Sequence, residues 1–195
     1  MEIKNIITNS MDQNCYLIKN GSKGILIDPG METEKIIKET EDIDICYILL
    51  THCHFDHIYS CESFDVPVVG SEKCSNNLKN PDIVLYNTFL KKGCDIIIED
   101  GEEKDFCGIK VKCIATPGHT DGSVCYLIGN CLFTGDTIFK ETVGRCDFPT
   151  GNVKVLENSI RNIIYKLDDE IEIYPGHGGK TTVGYEKKYN FYFAE

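Results

Sequence analysis

The sequence predicts an α/β fold in which strands pack in layers with helices on their outer faces. Three observations carry this expectation. The chain has 195 residues, 42% of them apolar, which suits one ordinary domain spanning residues 1–195 and is too short for two of typical size. Short runs of β-branched and apolar residues recur along the sequence, set off by Gly, Pro and Asn turns. A few longer stretches between them have the apolar spacing of helices, and many strands with a few covering helices make a layered sandwich.

Taken in order, Ile3 to Thr8, Cys15 to Ile18 and Ile25 to Asp28 read as strands, with turns at Asn20-Gly21 and Pro29-Gly30. A helical segment runs from Met31 to Thr40. It is followed by a buried-looking strand, Ile45 to Leu50, that leads straight into a histidine-rich heptapeptide. Val66 to Ile114 reads as further strands with loops. Ser123 to Ile128 and Cys131 to Thr134 are two more strands around the Gly129-Asn130 turn. From Asn152 to Leu167 the apolar residues Leu156, Ile160, Ile163, Ile164 and Leu167 share one helical face, with Asn152 as N-cap. A last strand, Ile171 to Tyr174, precedes a final helix capped by Thr181 or Thr182 and running through Lys188.

Charge and cysteine usage narrow the function. A formal net charge of -11, with Lys91-Lys92 and Lys187-Lys188 as the only lysine pairs, repels a phosphate backbone and argues for a small-molecule partner rather than nucleic acid. Apolar runs such as Ile96-Ile97-Ile98 are far too short to cross a bilayer, and Met1 to Asn5 has no secretory pattern, so a cytoplasmic location is expected. The eleven cysteines are odd in number and form no Cys-x-x-Cys pair, which favours free thiols over a disulfide framework. Cys46, Cys113, Cys125 and Cys131 lie in or beside apolar strands, where a thiol packs as a small hydrophobe. Cys53 and Cys146 instead interrupt motifs.

All five histidines can be given a place in one metal site. Three fall in Thr51-His52-Cys53-His54-Phe55-Asp56-His57, and the others in the glycine turns Pro117-Gly118-His119 and Pro175-Gly176-His177-Gly178. In an extended segment, side chains two apart point the same way, so His52 and His54 converge and Asp56 continues that side, while His57 points to a neighbouring position. One short peptide thereby serves two adjacent ions. Asp56 is also placed to open a helix as its N-cap. Imidazoles mixed with carboxylates suit Zn, Fe or Mn and differ from the thiolate sets of structural zinc sites. Asp136, after the strand ending at Thr134, offers a carboxylate that can bridge two cations.

These residues resemble the metallo-β-lactamase fold. The order Asp28, His52-x-His54-x-Asp56-His57, His119, Asp136, His177 is similar to its ordered motifs over nearly the whole chain. The resemblance implies a four-layer αββα sandwich with the site at one edge between the sheets. It also implies that His52, His54 and His119 hold one metal, Asp56, His57 and His177 the other, and that Asp136 bridges them. Asp28 would orient a ligand histidine. Within that fold the chain looks most like the short, glyoxalase II-like group without a C-terminal helical domain, through Gln13-Asn14-Cys15-Tyr16, Thr116-Pro117-Gly118-His119-Thr120, Phe133-Thr134-Gly135-Asp136-Thr137-Ile138-Phe139, Gly144-Arg145-Cys146-Asp147 and Gly176-His177-Gly178.

The activity expected from this is hydrolysis of a small thioester or ester, akin to that of a hydroxyacylglutathione hydrolase. Two divalent ions, zinc first and iron or manganese next, hold a hydroxide between them that attacks the carbonyl, with Asp56 and Asp136 at the reacting centre. No serine or cysteine nucleophile is required, and Cys53 points away from His52 and His54. Arg145 and Asp147 either meet the substrate's carboxylate or brace their own loop; Phe139 and Lys140 are further candidates for lining the pocket, as are Tyr174 and Tyr185. The competing reading is a persulfide dioxygenase, which shares the histidine motif and the Gly-Arg-x-Asp element but uses one iron on residues matching His52, His119 and Asp136. A flavodiiron relative would have Glu where His54 stands, and an RNA-processing relative conflicts with the acidic charge.

Overall fold

The computed structural model describes residues 1–8, 11–85 and 92–194. Among these, two six-stranded sheets form the body of the fold. The first contains β1 (Glu2–Thr8), β2 (Gln13–Asn20), β3 (Lys23–Ile27), β4 (Asp44–Leu49), β5 (Val68–Gly70) and β6 (Ile96–Ile97), hydrogen-bonded in that order. Its first three strands are antiparallel neighbours, and β3 through β6 run parallel. The later strands are β7 (Glu103–Phe106), β8 (Ile109–Ala115), β9 (Val124–Ile128), β10 (Cys131–Gly135), a small separate hairpin of β11 (Ile138–Phe139) and β12 (Thr142–Val143), then β13 (Glu172–Pro175) and β14 (Thr181–Thr182). They build the second sheet in the order β14-β13-β10-β9-β8-β7, with β10 and β13 parallel.

Side-chain alternation sorts the apolar residues into three layers, because successive residues of a strand face opposite sides. Ile18, Ile25, Ile27 and Leu49 from the first sheet meet Val111, Cys113, Tyr126 and Phe133 from the second in the central core. Their neighbours Leu17, Leu26, Ile48 and Leu50 face outward and are covered by Ile36 of α1 (Thr33–Glu39), Ile58 of α2 (Phe55–Ile58), Cys74 of α3 (Glu72–Asn77) and Val84 of α4 (Pro81–Val84). On the far side, Cys125, Leu132 and Ile173 are covered by Leu156 and Ile160 of α5 (Val153–Asn162) and Val183 of α6 (Val183–Tyr189). The order of layers is therefore helix, sheet, sheet, helix, and the expected αββα sandwich is borne out. Strands covered on both faces lose the polar alternation of a half-exposed sheet, and β2 accordingly buries six successive residues. In β8, where one side meets water, Lys110 and Lys112 alternate with buried Ile109, Val111 and Cys113.

Several elements depart from expectation, each for a local reason. The stretch from Val66 to Ile114 holds two helices as well as strands. Ser71 caps α3 by accepting from the Cys74 N–H, and Asn80 caps α4 ahead of a proline at its first position. Both helices are too short to show a helical apolar period. The helix expected to run to Leu167 ends at Asn162, and Ile164–Lys166 tightens into a 3₁₀ turn. Its cap is as expected, since Asn152 Oδ1 accepts from the N–H groups of Lys154 and Val155. Thr182, rather than Thr181, caps α6 through the Tyr185 N–H. Cys113 and Cys125 are buried, whereas Cys46 and Cys131 are only partly so; all eleven cysteines are free thiols.

The topology places the C-terminal ends of β3, β4, β8, β10 and β13 at one edge of the sandwich, because β3 and β4 are parallel, as are β10 and β13, and β8 lies antiparallel to β9 as β10 does. Hydrogen bonds tie the sheets together there. Tyr126 Oη donates to the Leu50 carbonyl at 2.8 Å, and Tyr16 Oη to the Pro175 carbonyl at 2.7 Å. Asn14 Nδ2 donates to the carbonyls of Pro175 and Gly178, both at 2.9 Å.

Candidate metal centre

Each strand end at this edge delivers part of one polar cluster. The heptapeptide follows β4, His119 follows β8, Asp136 follows β10, His177 follows β13, and Asp28 follows β3. Ligand-type atoms of His52, His54 and His119 all lie within 4.8 Å of one another, and so do those of Asp56, His57 and His177. His119 Nε2 approaches His54 Nδ1 to 2.8 Å. Asp136 lies between the two groups: Oδ1 is 3.2 Å from His57 Nε2, and Oδ2 is 3.5 Å from His119 Nε2 and 3.7 Å from His177 Nε2. Asp56 Oδ2 is 3.3 Å from His177 Nε2 and 3.8 Å from His57 Nε2.

The local backbone explains how one heptapeptide reaches both groups. His52 and His54 precede α2, His54 with an extended backbone, whereas Asp56 and His57 belong to its first turn. The N-cap of α2 is therefore His54, with an extended backbone and no side-chain cap. The sequence places Asp56 in that role; two residues beyond the observed cap, its carboxylate faces His177 instead.

Four of the five rings are fixed by a partner on Nδ1 that leaves Nε2 facing the cluster. His57 Nδ1 meets Asp28 Oδ2 at 2.9 Å, His52 Nδ1 meets Thr51 Oγ1 at 3.1 Å, His119 Nδ1 meets the Arg145 carbonyl at 2.7 Å, and His177 Nδ1 meets the Met11 carbonyl at 3.1 Å. Such outer partners set which nitrogen holds the proton and which offers its lone pair. Asp28 is saturated in this role, because Oδ1 also accepts from the Thr51 N–H at 2.8 Å and Oδ2 from the Thr51 hydroxyl at 2.6 Å. The carbonyls of Arg145 and Met11 have no sequence signature, since any residue supplies one.

Burial and charge oppose each other here. Burial pushes the His54 imidazole down to about 3, helped by neighbouring His119, and burial likewise drives His52 well below its ordinary value. His119 is lowered by burial despite the nearby Asp136 charge. Burial also acts against a charge on His57, but the carboxylates of Asp136, Asp56 and Asp28 outweigh it and hold His57 well above the ordinary value. His177 is raised by its bond to Asp56 and by Asp136, again against burial. In return, and against their own burial, His57 holds both Asp56 and Asp136 below the usual carboxylate range.

The residues fit divalent metal ions. His52 Nε2, His54 Nε2, His57 Nε2 and Asp136 Oδ1 are buried without a hydrogen-bond partner; the 3.2 Å approach of the last two lacks the alignment of a hydrogen bond. An orphaned buried polar atom costs about 1–3 kcal/mol, and four in one cluster of imidazoles and carboxylates fit cation ligation better than any packing role.

A cavity of about 490 Å³ opens over the cluster. Of the residues the sequence suggests for substrate contact, Phe139 and Arg145 line it. Asp147 pairs with Arg145 instead, and Lys140 lies 5.7 Å over the Tyr185 ring, outside this cavity. Tyr174 and Tyr185 donate their hydroxyls to Glu172 and Glu141 and do not line it either. Met11, Phe55, Leu85, Thr142, Val143 and Phe148 also line it without a sequence signal for that role; Phe55 opens α2 inside the histidine heptapeptide, Thr142 and Val143 form β12, and the others come from separate parts of the chain. Cys53 is buried in the outer core with Cys74, away from the cavity.

Comparison with known proteins gives a consistent result. Residues 9–177 match the model of the metallo-beta-lactamase superfamily. A protein of Methanocaldococcus jannaschii named "probable metallo-hydrolase" is 42% identical over 85% of this chain and 87% of its own. The hydroxyacylglutathione hydrolase GloC of Haemophilus influenzae is 34% identical over 97% of each chain. The crystal structure of the BLEG-1 B3 metallo-beta-lactamase superposes with a TM-score of 0.89 over the whole of both chains, at 28% identity. The sandwich agrees with these matches, and the chain belongs to the metallo-beta-lactamase superfamily.

Proposed function

We propose that the protein is a binuclear metal-dependent hydrolase of small thioesters or esters, related in activity to hydroxyacylglutathione hydrolases. The observation that carries this reading is the paired cluster, with three histidines on one side, Asp56, His57 and His177 on the other, and the Asp136 carboxylate facing both. His52, His54 and His119 would hold the first ion and Asp56, His57 and His177 the second, with the Asp136 carboxylate available to both. When bound, two divalent cations, zinc by preference, lower the pKa of water toward neutrality and polarise a carbonyl.

The protein's own groups do the rest. Asp28, Thr51 and the carbonyls of Arg145 and Met11 fix the imidazole tautomers, so that neutral nitrogens face inward. Asp56 and Asp136 present ionised oxygens to the same space, where they would hold the cations and orient the attacking water. A thiolate leaves without a general acid, which agrees with a cavity whose described lining has no lysine and no tyrosine. The likeness to GloC supports a thioester over other acyl compounds.

The test is metal analysis of the purified protein together with hydrolysis of S-lactoylglutathione and simpler thioesters. Two divalent ions per chain and thioester cleavage are expected. A single iron with rapid oxygen uptake on glutathione persulfide would replace the hydrolase with a dioxygenase.

A further inference from the structure

Beyond the metal-facing residues, eight described residues line the cavity, and six of them are apolar: Met11, Phe55, Leu85, Phe139, Val143 and Phe148. The apolar wall begins at the ligands themselves. The Phe148 ring packs edge-on against His54, with centroids 5.5 Å apart, and the Phe139 ring does the same against His177 at 5.9 Å. A carbonyl placed over the cluster therefore has an aromatic surface on both flanks.

The polar part of the lining is spent elsewhere. Arg145 is the only cation among the described lining residues. Its Nε and Nη2 donate to the two carboxylate oxygens of Asp147 at 2.7 and 2.6 Å, and its guanidinium lies 4.0 Å over the Phe148 ring. This pair is exposed at both ends, so it lowers, without removing, the charge that Arg145 offers to a substrate carboxylate or phosphate. The net charge of -11 adds a field that works against anionic ligands generally. Beyond the metal-facing residues, Thr142 is the remaining polar residue of the described lining. The volume, about 490 Å³, is that of an ordinary small-molecule site.

We infer that this cavity selects thioesters or esters whose group beyond the reacting carbonyl is uncharged and apolar, and that anionic carriers are poor substrates. The inference rests on the hydrolase reading above and adds the substrate class to it. The recognition is burial of alkyl or aryl surface against Phe139, Phe148 and Val143, and burial of each methylene favours binding about fourfold.

The metal-loaded full-length protein decides the matter with two substrate arms. One arm lengthens the acyl group of N-acetylcysteamine thioesters from acetyl to octanoyl. The other lengthens the alkyl thiol of acetate thioesters over the same range. The expected result is a kcat/KM that rises about threefold to fourfold per methylene on at least one arm until the cavity is filled. The best member should exceed S-lactoylglutathione at least tenfold, and the arm that rises identifies which end of the substrate enters the cavity. Phe148→Ala should flatten that slope. Binding of the non-hydrolysable S-hexyl-N-acetylcysteamine gives a readout apart from turnover, and should be tighter than that of its S-methyl counterpart with a negative heat-capacity change. No chain-length dependence on either arm, or a preference for S-lactoylglutathione over every neutral member, overturns the inference and leaves the hydrolase reading intact. Tighter hexyl binding without cleavage of any thioester supports the apolar selection and sinks the hydrolase reading instead.

Discussion

Replacing Gly176 by alanine tests the geometry of the centre where the chain passes the Asp136 carboxylate and the His57 ring. A Cβ built there falls inside contact distance of Asp136 Oδ1, 2.7 Å from His57 Cε1 and 3.0 Å from the Gly135 carbonyl carbon. Ordinary carbon–carbon contacts are about 3.5–4.0 Å, so the His57 ring would have to retreat by about 1 Å. It has nowhere to go, because it is fully buried and tied through Nδ1 to Asp28 at 2.9 Å. The backbone of Gly176 is equally fixed: its N–H donates to the Gly135 carbonyl at 2.8 Å, and its carbonyl accepts from the Asn14 N–H at 2.8 Å. The strain therefore falls on the Asp136 carboxylate, which must turn out of its place between the two groups. Overpacking of this kind costs about 1–3 kcal/mol of stability, and a displacement of about 1 Å at a reacting centre costs about a hundredfold in rate. The assay is kcat/KM for thioester hydrolysis together with metal content and thermal melting. Gly179→Ala is the control, since a Cβ there meets nothing within 4 Å. A Gly176→Ala protein with kcat/KM within threefold of wild type and a full complement of metal would refute the reasoning.

Three further outcomes follow from the same geometry. Asp28→Asn keeps the shape but puts an NH₂ donor where Thr51 and His57 both present donors; chelator competition should show the second ion bound about 10–100-fold more weakly. Metal uptake should differ in its pH dependence between the two groups. His54, held at about 3, and His52, held well below its usual value, are already neutral near pH 6, so the first ion should bind almost equally at pH 6 and pH 8. His57 is held well above its usual value and must lose a proton to ligate. The second ion should therefore bind more tightly as pH rises, by about tenfold per unit below that raised value, with proton release seen calorimetrically in buffers of different ionisation enthalpy. Equal pH slopes for both ions would contradict this assignment. Asn152→Ala removes the α5 cap and should cost about 1 kcal/mol, read as a fall of about 2–4 °C in Tm, with thioester turnover at 25 °C unaltered.

The side chains of the centre were legible because their chemistry is in their spacing. His52-x-His54 in extended chain, Asp56-His57 one step on, and histidines in glycine turns after strands could be read from residue types alone, and the layered fold followed from strand runs with few helices. The elements that were not legible lack such a signal. Helices α3 and α4 are a turn or so long and rest on the caps of Ser71 and Asn80 rather than on apolar periodicity. The α2 cap was misplaced by two residues because Asp56 is a favourable cap in isolation, and its attraction to His177 exists only once β13 has delivered that ring. The carbonyls that orient His119 and His177 belong to Arg145 and Met11 through backbone geometry alone. Likewise, Phe55 and Phe148 read as ordinary apolar residues until the fold gathers them around one cavity.

The central claim is that two ions act together between these groups. It is tested most directly by stripping the protein with a chelator, restoring zinc in increments, and following hydrolysis of one thioester alongside bound metal. Activity that depends on the second equivalent and saturates at two per chain is the predicted result. Activity that is complete at one equivalent, or absent at two with the protein folded, would contradict the account.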